Sequence, residues 1–145
     1  MLVLKHGVTF HDKERATPGY TLYSRNGSKQ VWLINMDGEV VHEWKTGGGS
    51  THCNYLRPNG NLFICERIPE GPAVKSGKGG RMREYDWDGN IVWEHIDDHQ
   101  HHDGRRLENG NAVYIAWHEF NAEEIKQGNF HIILSDNAAI LGIEV

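Results

Sequence analysis

The sequence predicts an all-β protein assembled from repeated, four-stranded antiparallel units. Three observations carry this. A strand–Asp-Gly–strand pattern occurs twice, and so does a second hairpin pattern turning on Asn-Gly-Asn. The two patterns also alternate in the same order at a spacing of about fifty residues.

The first hairpin reads Val31-Trp32-Leu33-Ile34-Asn35-Met36-Asp37-Gly38-Glu39-Val40-Val41-His42-Glu43-Trp44. Its counterpart runs from Met82 through Asp88-Gly89 to His95, with Asp37 and Asp88 51 residues apart. Asp-Gly is expected to supply the positive φ angles of a type I′ turn. The second unit runs from Thr51-His52-Cys53 to Asn59-Gly60-Asn61-Leu62, and again from His101-His102-Asp103 to Asn109-Gly110-Asn111-Ala112. Asn59 and Asn109 are 50 residues apart, and that offset carries His52 onto His102.

Two hairpins per period make four short strands, the composition of a β-propeller blade; a β-sandwich needs no matched turns at a fixed spacing. Residues 1–145 are thus expected to form one incomplete propeller domain. In it, 1–30 is a lead-in, 31–44 the outer hairpin of a preceding blade, 52–95 one blade, and 101–145 the next, truncated. That makes about two blades where propellers have four to eight. Within a blade the expected order, from the innermost strand outward, is His52–Arg57, Leu62–Cys65, Met82–Asp86 and Ile91–Glu94. The last segment, Asp136 to Val145, reads as a strand leading into an Asp-Gly turn, and Ala122-Glu123-Glu124-Ile125-Lys126 suits one helical turn at most.

Composition excludes several classes. At 38% hydrophobic and 24% charged, with a mean hydropathy of -0.62, the chain is ordinary for a soluble domain. A net charge of -5 and a pI near 6.0 give no general attraction to nucleic acid or anionic membrane. Apolar runs fall far short of the roughly 20 residues that span a bilayer. Met1-Leu2-Val3-Leu4-Lys5-His6 lacks the features of a secretory signal, so the protein is cytoplasmic or its true N-terminus lies upstream. Cys53 and Cys65 flank the Asn59-Gly60 turn; a three-residue loop sets them opposite each other and a two-residue loop sets them on opposite faces. Two buried thiols is the preferred reading over a disulfide.

Ten histidines is an unusual number, and five of them fall between His95 and His118. These motifs resemble the bacterial arylsulfotransferase-type propellers. The resemblance starts at Pro18-Gly19-Tyr20-Thr21-Leu22-Tyr23 and continues through Leu33–Trp44 and Pro58–Leu62. It is most specific at His101-His102-Asp103, with Leu107 and Asn109-Gly110-Asn111 after it. It implies a six-bladed propeller with a site at the mouth of the central channel. It also implies sulfuryl transfer from an aryl sulfate to a phenol through an N-sulfohistidine, with histidines and an arginine holding the sulfate oxygens. The sulfated histidine is expected in a later repeat, so this chain supplies anion-binding residues. The resemblance calls for no cofactor, and the expected partners are a small aryl sulfate and a phenol, with a possible homodimer.

Each candidate has a plainer role beside the chemical one. His102 is the first candidate: imidazole is nucleophilic near neutral pH, and its protonated form stabilises an oxyanion or donates to a leaving phenolate. A strand-capping histidine is the alternative, and His52 occupies the equivalent place. Asp103 can orient a histidine or shape the turn before Gly104. Arg105 and Arg106 alternate, so only one can face the site, where a guanidinium matches a tetrahedral oxyanion. His101 and His118 are expected at the edge of the same cavity. A metal set of His95, His99, His101, His102 and Asp103 is a weaker reading, because the spacing matches no standard ligand pattern. Lys75-Ser76-Gly77-Lys78-Gly79-Gly80-Arg81 misses the phosphate-loop pattern and reads as an interstrand loop. Trp32, Trp44, Trp87 and Trp93 suit packing between blades better than ligand stacking. A propeller-type polysaccharide lyase or hydrolase, and a non-catalytic binding platform, are the other functional readings.

Overall fold

In the computed structural model, which describes residues 8–71, 77–118, 123, 133–135 and 138–141, both repeated turns are built alike. Gly38 N donates to Asn35 O and Asn35 N to Glu39 O; Gly89 N donates to Asp86 O and Asp86 N to Asn90 O. The same pair of bonds closes Arg57–Asn61 and Leu107–Asn111. Every one of these loops therefore has three residues, with the glycine alone at positive φ: 84° at Gly38, 85° at Gly60, 85° at Gly89 and 90° at Gly110. This corrects the type I′ expectation. A type I′ turn needs positive φ at two residues, whereas Asp37 and Asp88 stay at negative φ and the glycine forms a G1 bulge. The residue opening each Asp-Gly loop fixes it with its own side chain: Asn35 Oδ1 accepts from Glu39 N, and Asp86 Oδ1 from Asn90 N.

Between the turns run β1 (Thr21–Ser24), β2 (Gln30–Ile34), β3 (Val40–Lys45), β4 (Gly49–Leu56), β5 (Leu62–Arg67), β6 (Gly80–Tyr85), β7 (Ile91–Ile96), β8 (Gln100–Arg106), β9 (Ala112–Ala116), β10 (Ile133–Ser135) and β11 (Ala138–Leu141). They form three open sheets, ordered β1-β2-β3, β4-β5-β6-β7 and β10-β11-β9-β8. The middle sheet has the strand grouping expected from the repeat: Leu62 pairs with Tyr85, Phe63 with Glu84 and Ile64 with Arg83. The fold is all-β and its pairings antiparallel, with one exception. β11 lies parallel to β9, because the far strand of the β10–β11 hairpin, and not the near one, docks on β9. Of the segment expected to lead into a further Asp-Gly turn, Asp136, Asn137 and residues 142–145 lie outside the described residues. So does the expected helical turn, apart from Glu123, and so do Lys75 and Ser76.

The sheets stack face to face, with the middle one covered on both sides. Alternate β5 residues go to opposite cores. Leu62 and Ile64 join Val31, Leu33 and Trp44 of the first sheet, while Phe63 and Cys65 join Tyr114 and Ala116 of the third. This is why β5 reads Leu-Phe-Ile-Cys without a polar face. The first strands of the second and third sheets meet directly: Cys53 Sγ donates to Gly104 O at 3.2 Å, and Arg106 N donates to Tyr55 Oη at 2.7 Å. β4 and β8 thus run side by side in the same direction. Of the tryptophans, Trp44 is buried and donates from Nε1 to Asp86 O across the sheet boundary, and Trp87 stacks on His42. Trp93 lies beside Phe63, whereas Trp32 stacks on Tyr23.

Candidate active site

The two histidine-bearing strands carry the same irregularity. In β4 the ladder passes from Ser50–Glu66 to Asn54–Ile64, so Thr51, His52 and Cys53 bulge out of register. In β8 it passes from His101–Ile115 to Gly104–Tyr114, so His102 and Asp103 bulge. Because β4 and β8 run in the same direction, both bulges sit at the same end of the stack. Bulges re-aim side chains and recur beside functional sites. The His52 side chain lies outside the described residues.

His102 has a φ of 53° and is the one non-glycine residue at positive φ among the described residues. Such a backbone costs on the order of 1 kcal/mol and must be held by its surroundings. Here a neighbouring segment holds it. His102 N donates to Gly77 O at 2.7 Å, Lys78 forms an isolated bridge with His101, and Gly79 N donates to Gln100 O. The glycines at 77 and 79 are required by this close approach. A Cβ on Gly77 would lie 1.9 Å from His102 Cε1, and one on Gly79 would lie 1.9 Å from Gln100 Oε1. From Gly77 on, the glycine-rich run is therefore the backing of the histidine bulge.

His101 and His102 meet through their rings, Nδ1 to Nδ1 at 2.9 Å. A contact between two ring nitrogens needs a proton on one and a lone pair on the other, so one Nδ1 donates and the other accepts. His101 is buried and stacks on Trp117 at 4.3 Å; burial, and then the neighbouring His102, push its pKa below the ordinary value. A neutral His101 ring offers a lone pair that can act as a base or nucleophile.

The other candidates have surroundings of their own. The Asp103 carboxylate accepts from Gly104 N at 2.8 Å and so shapes the bulge. Arg105 lies over the Tyr55 ring at 4.6 Å. Arg106 lies over Trp93 at 4.2 Å with its Nε 3.7 Å from Glu84 Oε2; burial pushes its pKa down and Glu84 opposes this. Arg106 is four residues beyond His102, about 13 Å along the strand, and the contacts of both arginines with Tyr55, Trp93 and Glu84 belong to that far end. His118 is exposed, one residue past Trp117.

The five residues of the metal reading do not converge on one point among the described residues. His95 Nε2 contacts Tyr114 Oη at 3.2 Å, and His99 Nδ1 contacts Asp98 Oδ1 at 2.7 Å. A different trio converges, since ligand atoms of Asp97, Asp98 and His99 lie within 4.8 Å of one another. Asp97 is already engaged there: Tyr114 Oη donates to its Oδ2, and burial together with that bond pushes the Tyr114 pKa up. Cys53 and Cys65 are free buried thiols, set opposite each other by the three-residue loop; the hydrogen bond between them and then burial raise the pKa of Cys65.

Gly77→Ala tests the site's construction. The added methyl group must displace the His102 ring and also takes on an unfavourable φ, for a loss of about 1–3 kcal/mol. The expected readout is loss of the His101–His102 ring contact, seen by NMR as a change in both ring resonances. Unchanged ring resonances would show that the segment does not set the ring. Among the described residues, no helix is long and apolar enough to cross a membrane. No family model matches the chain, and neither the curated proteins nor the solved structures give a match.

Proposed function

We propose that this chain is part of a β-propeller of the arylsulfotransferase type, in which the bulged histidines bind the sulfuryl group of an aryl sulfate. The observation that supports this reading is the pair of equivalent bulges at one end of adjacent strands. They put His52 and the His101–His102 pair on one side of the stack. A sulfate ester needs several charge-assisted donors to offset its lost hydration, and a histidine pair that takes up one proton supplies a cation where the ester binds. In this reading His102 also hands a proton to the departing phenolate, and the histidine that becomes sulfated belongs to a further repeat.

For the chain itself the test is binding. Titration with 4-nitrophenyl sulfate should shift the His101 and His102 ring resonances, and His102→Ala should abolish the shift. In a protein joining this chain to further repeats, His102→Ala should slow transfer from 4-nitrophenyl sulfate to a phenol by about 10²-fold, the scale for losing a positioned acid or oxyanion group. A well-folded variant with unchanged binding and rate would remove His102 from the site.

A further inference from the structure

Three sulfur-bearing side chains meet at the boundary between the middle and third sheets. Asn54 pairs with Ile64, so Cys53 and Cys65 are the next residues outward on β4 and β5. On its other side Cys65 pairs with Met82 of β6. All three are buried in the core that Tyr114 and Ala116 close from the third sheet. The approach is close because residue 104 is glycine: a Cβ there would lie 3.0 Å from Met82 Sδ and 3.4 Å from Cys65 Sγ. Both thiols are free, and the Cys65 thiol hydrogen-bonds with Cys53.

Cys53 holds a second contact, since its Sγ donates to Gly104 O at 3.2 Å. Cys53 is the last residue of the Thr51–Cys53 bulge, and Gly104 is where β8 regains register after His102 and Asp103. One thiol proton therefore joins the two histidine bulges. Residues facing each other on antiparallel strands have Cα atoms about 4.5–5.5 Å apart, inside the roughly 4.4–6.8 Å that a disulfide spans.

We propose that Cys53 and Cys65 form a site of reversible oxidation, closing to a disulfide that staples β4 to β5 and releases the His52 bulge from the His102 bulge. With hydrogen peroxide as oxidant, the sulfur of Cys53, the less deeply buried of the two, attacks the O–O bond. One oxygen stays on sulfur as a sulfenic acid, and the other leaves as water once it takes up the thiol proton. The Cys65 sulfur then attacks the Cys53 sulfur, the S–O bond breaks, and a second water carries off the Cys65 proton. Two thiols and one peroxide thus give one disulfide and two waters, the sulfurs losing the two electrons that the peroxide gains. Burial slows the first step, so the site answers sustained oxidant and not brief pulses. The second step is favoured, because the resolving thiol already touches Cys53. In the disulfide Cys53 has no proton left for Gly104 O, and the bond between the bulges is lost. The proposal is independent of sulfuryl chemistry at His102.

The test is millimolar hydrogen peroxide on the purified, reduced chain, followed by intact mass and thiol titration. Free thiols should fall from two per chain to none, with the mass of a single chain less two hydrogens. Cleavage after Tyr55, between the two cysteines, should yield peptides that stay joined until dithiothreitol is added. The Gly104 amide and the His102 ring should shift by NMR on oxidation and return on reduction. The same chain unfolded in urea serves as the control that the oxidant is competent. Two thiols that persist in the folded chain while the unfolded one is oxidised would overturn the proposal. So would a disulfide found only between chains, or accumulation of Cys53 sulfinic acid in place of the disulfide. A disulfide that leaves the Gly104 and His102 resonances unmoved would overturn the link between the bulges.

Discussion

Replacing Glu66 by alanine is expected to cost about 3–5 kcal/mol, the scale for removing one partner of a buried ionic group. Glu66 is 0% exposed at the boundary between the first two sheets. Its Oε1 accepts from Tyr85 Oη at 2.7 Å, and its Oε2 accepts from Arg81 at 2.8 Å and from Arg83 at 3.3 Å. Tyr85 Oη in turn accepts from Gly47 N, and Arg83 Nε donates to Glu94. Taking away the carboxylate leaves two neighbouring guanidinium groups, 19% and 13% exposed, without their shared anion and with little water to replace it, Arg83 alone keeping Glu94. They cannot swing into the glycine strip, since Gly47 and Gly48 already lie against them. Glu66→Gln keeps the shape and an acceptor for Tyr85, so its loss should be smaller. Urea denaturation at fixed pH measures both. A Glu66→Ala protein within about 0.5 kcal/mol of wild type, the range of surface substitutions, would mean that the two arginines find other partners at no cost.

This network was not legible in the sequence, and the reason is physical. Turns announce themselves locally: Asn-Gly-Asn and Asp-Gly fixed where each hairpin reverses, and the recurrence at 50 and 51 residues fixed which hairpins are equivalent. The strand grouping β4-β5-β6-β7 follows from those two facts. Turn type did not follow, because Asp-Gly suits both the I′ turn and the three-residue loop; only the bonding at Asn35 and Asp86 tells them apart. Bulges are harder still. Nothing in Thr51-His52-Cys53 or His102-Asp103 marks two strands that lose register at the same level. The nearest signal is Gly77 with Gly79, which reads as loop composition until the side chains beneath it are seen. For Arg105 and Arg106, alternation along the strand gives no height, and both arginines meet residues of the middle sheet. That height puts their contacts at Tyr55, Trp93 and Glu84.

Trp44→Ala is expected to remove about 3–5 kcal/mol, as large aromatic truncations in cores do, and to remove it from one boundary. Trp44 is 1% exposed, with its Nε1 donating to Asp86 O at 2.9 Å. Its ring meets His42 edge-on at 4.2 Å and Trp87 at 5.4 Å, while His42 and Trp87 stack at 4.0 Å. The alanine variant therefore loses the apolar contact, strands the Asp86 carbonyl, and leaves His42 and Trp87 without their support. Stacked repeats couple mainly to their nearest neighbours, so the loss belongs to the junction between the first and second sheets. The buried residues of the first sheet cluster only with those of the second, and the Phe63–Tyr114 core on the far side shares no residue with the Trp44 core. Amide exchange should register the difference. Protection in β1–β3 should fall by about 10²–10³-fold, since each 1.4 kcal/mol is tenfold, while β8 and β9 change little. Equal acceleration in all nine strands from β1 to β9 would mean that the three sheets open as one cooperative unit, and that the repeat survives in the sequence without independence in the fold.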